Sequence, residues 1–135
     1  MTTRVVFDSN IYLSAIIFGG NPKACLEMAR KKEVQLFVSK AILLEIARKL
    51  KEKFRWKISD VEDVIVGISK IARGMDPPKK ITLIKADVSD NRVLEVAEES
   101  DAIFIVSGDK RHLLALKKYG KTKIISASDF LKEYF

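Results

Sequence analysis

Cysteine and histidine are nearly missing from this chain of 135 residues. Cys25 is the one cysteine, which excludes an internal disulfide and any cysteine-based metal cluster. His112 is the one histidine, so a histidine-rich zinc site is excluded as well. No apolar run approaches the roughly 20 residues needed to cross a bilayer, and no membrane contact is expected. No signal peptide is expected either, because the first residues enter a strand at once. Repeats, low-complexity stretches and linkers are absent. The expectation is one domain over residues 1–135 with one hydrophobic core, in a reducing cytoplasm.

Charge of one sign is not scarce. The net charge is +7, and residues 1–80 carry 16 Lys and Arg against 9 Asp and Glu. Residues 81–135 carry 9 of each, so the basic excess belongs to the first part. It peaks over Arg48-Lys49-Leu50-Lys51-Glu52-Lys53-Phe54-Arg55-Trp56-Lys57. A basic surface with interleaved aromatics attracts phosphate backbones, and Lys51, Lys53 and Arg55 are the contacts expected there. The competing reading is a solvated helix end, where cations also suit the macrodipole.

The chain alternates between strand and helix signals. Thr3–Phe7 reads as a strand, followed by a short helix over 10–17 and another over 22–32. Gln35–Val38 is a strand, and Ser39 then caps a helix over 40–54. Ser59-Asp60-Val61-Glu62 has the form of a capping box and opens a helix to about 73. Met75-Asp76-Pro77-Pro78-Lys79-Lys80 is the strongest breaker. Ile81–Ile84 is expected as a short strand. A helix over 91–100, a strand over 103–106, a helix over 110–118, a strand over 123–126 and a last helix over 128–134 complete the reading. Such alternation predicts an α/β fold with a parallel sheet covered on both faces. The unbroken apolar runs Val5-Val6-Phe7 and Ile103–Val106 fit strands buried on both sides.

Two of these strands stop on an acid. Asp8 follows the first, and Asp109 follows the 103–106 strand after Ser107-Gly108. In an open parallel sheet, ligands bind outside the carboxyl ends of the strands. Carboxylates gathered there repel one another unless a cation neutralises them, and hard divalent ions favour such oxygens. Each acid has a second reading as a helix N-cap. Asp90 and Asp87 compete for the cap of the 91–100 helix. Glu45 lies at the margin of the stripe Ile42, Leu43, Ile46, Ala47 and Leu50. Periodicity alone favours it as a surface partner of Lys49 at i+4. Asn10 and Ser107 stand beside the two strand-end acids and could orient a carboxylate or a bound water. His112 reads as a surface or partly buried histidine rather than a general base.

The arrangement resembles the PIN-domain ribonucleases, and within them the branch of toxin components of toxin–antitoxin pairs. The resemblance rests on Val5-Val6-Phe7-Asp8-Ser9-Asn10, Leu43-Leu44-Glu45-Ile46, Asp90-Asn91-Arg92-Val93-Leu94-Glu95-Val96-Ala97 and Asp101–Asp109. It extends to the closing Ile124-Ile125-Ser126 and Asp129-Phe130-Leu131. It implies metal-ligating acids at Asp8, Glu45, Asp90 and Asp109, which selects Asp90 over Asp87 and raises Glu45 above its surface role. It implies supporting polar residues at Asn10 and Ser107. The implied fold is a three-layer α/β/α sandwich on a roughly five-stranded, mainly parallel sheet, often as a homodimer. The implied activity is Mg²⁺- or Mn²⁺-dependent cleavage of single-stranded RNA, with an antitoxin protein as a partner. The rival from another class is a non-catalytic RNA-binding module on the same fold. A haloacid-dehalogenase-like phosphatase would want an aspartate where Asn10 stands, and a dinucleotide-binding domain would want a glycine-rich first turn.

Overall fold

The structure, a computed structural model, describes residues 2–85 and 87–134, the last of these by its backbone alone. The elements run β1 (Thr3–Phe7), α1 (Ser9–Ile17), α2 (Gly20–Arg30), β2 (Val34–Ser39), α3 (Lys40–Glu52), α4 (Ile58–Ile71), β3 (Ala72–Met75), α5 (Asp90–Ser100), β4 (Phe104–Val106), α6 (Leu113–Leu116), β5 (Lys118–Tyr119), β6 (Thr122–Ile125) and α7 (Ala127–Tyr134). They form one six-stranded sheet in the order β3-β2-β1-β4-β6-β5. All neighbours are parallel except the β5–β6 pair. Helices cover both faces, as the α/β/α sandwich requires, with six strands rather than about five.

The apolar runs explain the layout. Val5, Val6, Phe7, Ile105 and Val106 are fully buried, so both faces of the central strands are covered. Phe7 stacks at 5.8 Å from Tyr12 of α1 and 6.2 Å from Phe130 of α7, while Phe104 meets the Phe130 ring at 5.9 Å. Each such pair contributes about 0.5–1.5 kcal/mol beyond its buried area. Ile42, Ile46 and Leu50 face inward from α3, the spacing of one helical stripe. Ser39 caps that helix, accepting the Ile42 N–H at 3.2 Å.

Four expectations fail locally. The segment Ile81–Ile84 is no strand: its backbone groups pair with side chains of α5. The strand that extends the sheet is β3, where the apolar spacing continues a helix. Gly74 and Pro77 weaken that helix, and the free edge of β2 offers a ladder from Leu36↔Ala72 to Ser39↔Met75. Helix α4 starts at Ile58, with Lys57 as a cap that makes no side-chain bond, so the capping box at Ser59 is not used. The helix expected over 110–118 shrinks to α6. Asp109 takes the backbone N–H groups of Arg111 and His112 at 3.1 and 3.3 Å, which holds 109–112 in a turn. A tight hairpin with Gly120 at φ +58° then makes β5 and β6.

The order of strands places the site. From β1 the chain moves outward through β2 to β3, then returns to add β4 on the other side of β1. The gap between the ends of β1 and β4 is therefore the topological switch point of the sheet.

Candidate metal centre

Asp8 leaves β1 at this switch point and caps α1, its Oδ1 accepting the Ile11 N–H at 2.9 Å. Its backbone N–H is held by the Val106 carbonyl at 3.0 Å. Ser107, fully buried, donates its hydroxyl to Asp8 Oδ2 and accepts the Asp109 N–H at 3.0 Å. One hydroxyl thus ties together the two acids that end neighbouring strands. Burial pushes the Asp8 carboxyl up to about 6, against hydrogen bonds from Ser107, Ile11 and Gly108 that favour its charge, and the Asp109 charge adds to the rise.

Asp90, the first residue of α5, joins them. It is nine-tenths buried. Its carboxyl is held well above the usual carboxylate range by burial first, then by its hydrogen bond with Asp109 and by the charges of Asp87, Asp109 and Asp8. Asp109 goes the other way. Burial opposes its charge, but the hydrogen bonds from Asp90 and from the Arg111 and His112 amides, with the nearby His112 ring, outweigh it. The two carboxyls lie close enough that they titrate as a pair.

Glu45 stands on α3, outside the bonded group of Asp8, Asp90 and Asp109. Its carboxylate lies 3.3 Å from the Lys49 ammonium, which also donates to Asn10 Oδ1 at 3.2 Å. Both side chains are mostly covered. A cleft of about 250 Å³ lined by Ala41, Leu44, Glu45, Arg48, Ser89 and Arg92 connects this face of α3 to the turn that opens α5. Asn10 therefore anchors the lysine that holds Glu45, while Ser107 supports Asp8 directly. Lys51, Lys53 and Arg55 are exposed at the far end of α3 and beyond it. Arg55 lines a separate cleft with Trp56, Lys57, Asp60, Asp63 and Val64. At 1.5 Å per residue, Lys53 is about 12 Å along the helix from Glu45.

Three residues at the site carry little weight in the sequence. The His112 Nδ1 lies 3.1 Å from Asp109 Oδ2 and 3.4 Å from Asp90 Oδ2, a bridge between the paired acids. Its i+3 spacing from Asp109 is the available signal. Asp87, Asp90 and His112 bring ligand atoms within 4.8 Å of one another. Tyr12 is fully buried with a hydroxyl that finds no hydrogen-bond partner. Burial, then the Asp8 charge, pushes its proton affinity far up. Nothing in the apolar pattern around Tyr12 distinguishes it from an ordinary core residue.

The donor set fits a hard divalent cation. The acids offer carboxylate oxygens, the preferred ligands of Mg²⁺ and Mn²⁺. The buried Asp90 Oδ2 accepts no hydrogen bond and faces the His112 Nδ1 at 3.4 Å, one histidine set against three gathered acids. A family profile described as PIN domain matches residues 4–111.

The chain belongs to the PIN-domain family.

The matched span of this PIN domain holds Asp8, Glu45, Asp90 and Asp109 and leaves out α6, β5, β6 and α7. A similar fold occurs in a chain of the crystal structure of VapBC2 from Rickettsia felis bound to a DNA fragment from their promoter. The TM-score is 0.64 at 13% identity, over 90% of this chain and 97% of that chain. No curated protein matches the PIN-domain chain by sequence. No helix among the described residues is long and apolar enough to cross a membrane.

Proposed function

We propose that this PIN-domain protein is a divalent-metal-dependent endoribonuclease. It hydrolyses phosphodiester bonds of single-stranded or loop RNA and acts in the cytoplasm as the toxin of a toxin–antitoxin pair. The observation that carries the reading is the gathering of Asp8, Asp90 and Asp109 at the switch point. Ser107 ties Asp8 to Asp109, and the His112 Nδ1 lies 3.1 Å from Asp109 and 3.4 Å from Asp90. A purely structural cluster would gain stability by losing these charges.

Asp8, Glu45, Asp90 and Asp109 would hold Mg²⁺ or Mn²⁺, which supplies a water of lowered pKa and charge stabilisation at the leaving oxygen. The residues of the chain do the rest. Ser107 fixes the Asp8 carboxylate against its backbone cradle. Asn10 and Lys49 keep Glu45 turned to this end of the sheet. Asp90 would bind the ion in its ionised form, so metal binding would compete with protons there. Lys51, Lys53 and Arg55 hold the RNA backbone away from the reacting bond. Likeness to a chain of VapBC2 supports a protein partner, here assigned as an antitoxin, and the working form is a homodimer.

The test uses purified protein, Mn²⁺ or Mg²⁺, and a panel of RNAs with exposed loops. Cleavage is expected, chelation abolishes it, and Asp8→Asn and Asp109→Asn lose most of it while staying folded. Binding of the RNAs without cleavage, with all four acids dispensable, would establish the non-catalytic binding module instead.

A further inference from the structure

A cleft of about 410 Å³ opens where α2 and α4 end and β2 and β3 begin. Buried Val34 and Leu36 and half-buried Gln35 line it, together with the cations Lys32, Lys70 and Arg73 and no acid. It lies at the opposite ends of the strands from the metal centre. Val34 pairs with Thr3, five residues before Asp8, so the two sites are about 16 Å apart along the strands. All three cations are exposed, and among the described residues none is in an ion pair. A cleft lined by one sign of charge focuses its field and draws the opposite charge in.

The plain alternative is that cations suit the ends of helices, where Lys32 and Lys70 stand. Two observations weigh against it. Arg73 is on β3 and owes nothing to a helix end. Helix α2 is already closed by backbone bonds, the Lys32 N–H donating to the Ala29 carbonyl at 3.0 Å and the Glu33 N–H to the Met28 carbonyl at 2.9 Å. This closure puts Lys32 at φ +63°, a left-handed position that glycine takes without strain. A lysine there is a conformational cost, and no side-chain bond among the described residues offsets it. The cleft holds no buried polar side chain, which an enclosed site for a small anion would need. Long, exposed cations suit a phosphate backbone that crosses the surface.

We propose that this cleft is a second RNA contact, which holds the sugar–phosphate backbone while another part of the same RNA occupies the metal centre. The contact rests on the ribonuclease reading above and narrows its substrate class to a folded RNA whose body reaches both ends of the sheet. A short single strand engages the metal centre alone. Lys32, Lys70 and Arg73 neutralise phosphates there and read no sequence.

The test is fluorescence anisotropy of a stem–loop RNA, and of its loop sequence alone as a short strand, titrated with the full chain in chelator at several KCl concentrations. The triple variant Lys32→Gly, Lys70→Gln, Arg73→Gln is expected to bind the stem–loop about tenfold more weakly, with a salt slope flattened by about 0.7–0.9 for each phosphate no longer neutralised. Its binding of the short strand is expected to match wild type. Lys32→Gly alone separates recognition from architecture: its melting temperature is expected to hold or rise, because glycine relieves the left-handed backbone, while stem–loop affinity falls. Should Lys32→Gly not fold, Lys32→Asn removes the same charge, and asparagine also accepts this conformation. Unchanged stem–loop affinity in the triple variant overturns the proposal and leaves the cations as solvated ends of their elements. Equal losses on both probes overturn it as well, as an effect of net charge alone. Polyglutamate bound as tightly as the stem–loop, and lost in the triple variant, would assign the cleft to an acidic protein surface instead. A wild type that binds the stem–loop through the cleft but cuts no RNA in Mn²⁺ overturns the ribonuclease reading and not the contact. No binding of either RNA by wild type overturns both.

Discussion

The Glu45 carboxylate lies 3.3 Å from the Lys49 ammonium, one turn along α3. This is the i,i+4 pair that periodicity predicts for a surface residue, but the pair is not on an open surface. The two side chains are 15% and 24% exposed, and Lys49 makes a second bond to Asn10, two residues after Asp8. Asn10 links the covered pair to α1 beside Asp8, which leaves Glu45 two roles to tell apart, ion-pair partner or metal ligand. Glu45→Gln distinguishes their consequences. The ion pair itself contributes about 0.3–0.5 kcal/mol, so the melting temperature is expected to move little. RNA cleavage is expected to fall at least tenfold. Unchanged cleavage would return Glu45 to its surface role.

Protonation of the buried acids makes the metal-free protein sensitive to rising pH. Asp8 sits at about 6 in the folded chain against an ordinary 3.8. A carboxyl raised by folding lends stability that is full below about pH 4 and is lost as pH climbs through 6. Asp90, also raised, extends that loss to higher pH. Asp109, lowered, acts in the opposite sense but below the ordinary carboxylate range. In chelator, the melting temperature is expected to fall between pH 5 and 8. With saturating Mn²⁺ the trend reverses, because protons compete for the same oxygens. A midpoint that rises across this window in chelator would contradict the burial described here.

Asp8→Asn follows from the same physics. Asparagine keeps the capping oxygen for Ile11 and removes a charge whose burial costs up to about 3 kcal/mol at pH 8, from a rise of about two pKa units at 1.36 kcal/mol each. The variant is expected to be more stable than wild type in chelator at pH 8 and to gain nothing from Mn²⁺. Urea denaturation with and without metal reads both effects. A destabilised variant in chelator would show that Asp8 acts mainly as a structural cap.

Ser107→Ala removes the donor to Asp8 and the acceptor of the Asp109 amide together. A buried polar group left without its partner costs about 1–3 kcal/mol, so a loss in that range is expected on urea denaturation. The Mn²⁺ concentration for half-maximal cleavage is expected to rise as well, since Asp8 is no longer held. Normal stability and metal demand would remove Ser107 from the site's support.

Charge removal at Lys51, Lys53 or Arg55 is expected to weaken RNA binding. The dependence of log affinity on log salt should flatten by about 0.7 for each single-strand phosphate that is no longer neutralised. The distance of these cations from the acids predicts no change in Mn²⁺ affinity. An unchanged salt slope would make this segment a solvated helix end.

Much of this layout is local enough to be legible in the residues. Val5-Val6-Phe7-Asp8 and Ile103–Val106 with Asp109 are apolar runs ending on acids, and period alone marks them as central strands. Ser39 announces α3 by its side-chain chemistry. The losses are equally physical. Ile81–Ile84 has strand-like residues, but Asn91, Arg92 and Glu95 supply its partners, and a side-chain substitute for a ladder leaves no periodic trace. Ala72–Met75 forms β3 because β2 has a free edge, a fact about a neighbour rather than about those residues. In the sequence Asp87 and Asp90 compete for one helix cap, whereas the folded turn brings both close to His112.

The order of strands and helices, the buried stripe of each helix, and the acids at the ends of β1 and β4 are all written in residues a few positions apart. Tertiary structure alone decides that β1 and β4 lie side by side, that Ser107 reaches Asp8 across 99 positions of chain, and that His112 bridges Asp90 and Asp109. Hydrophobic period determines that a side chain is buried, not against what. Coupled titration of carboxyls depends on ångström distances and local dielectric, and these exist once the sheet has brought the strand ends together.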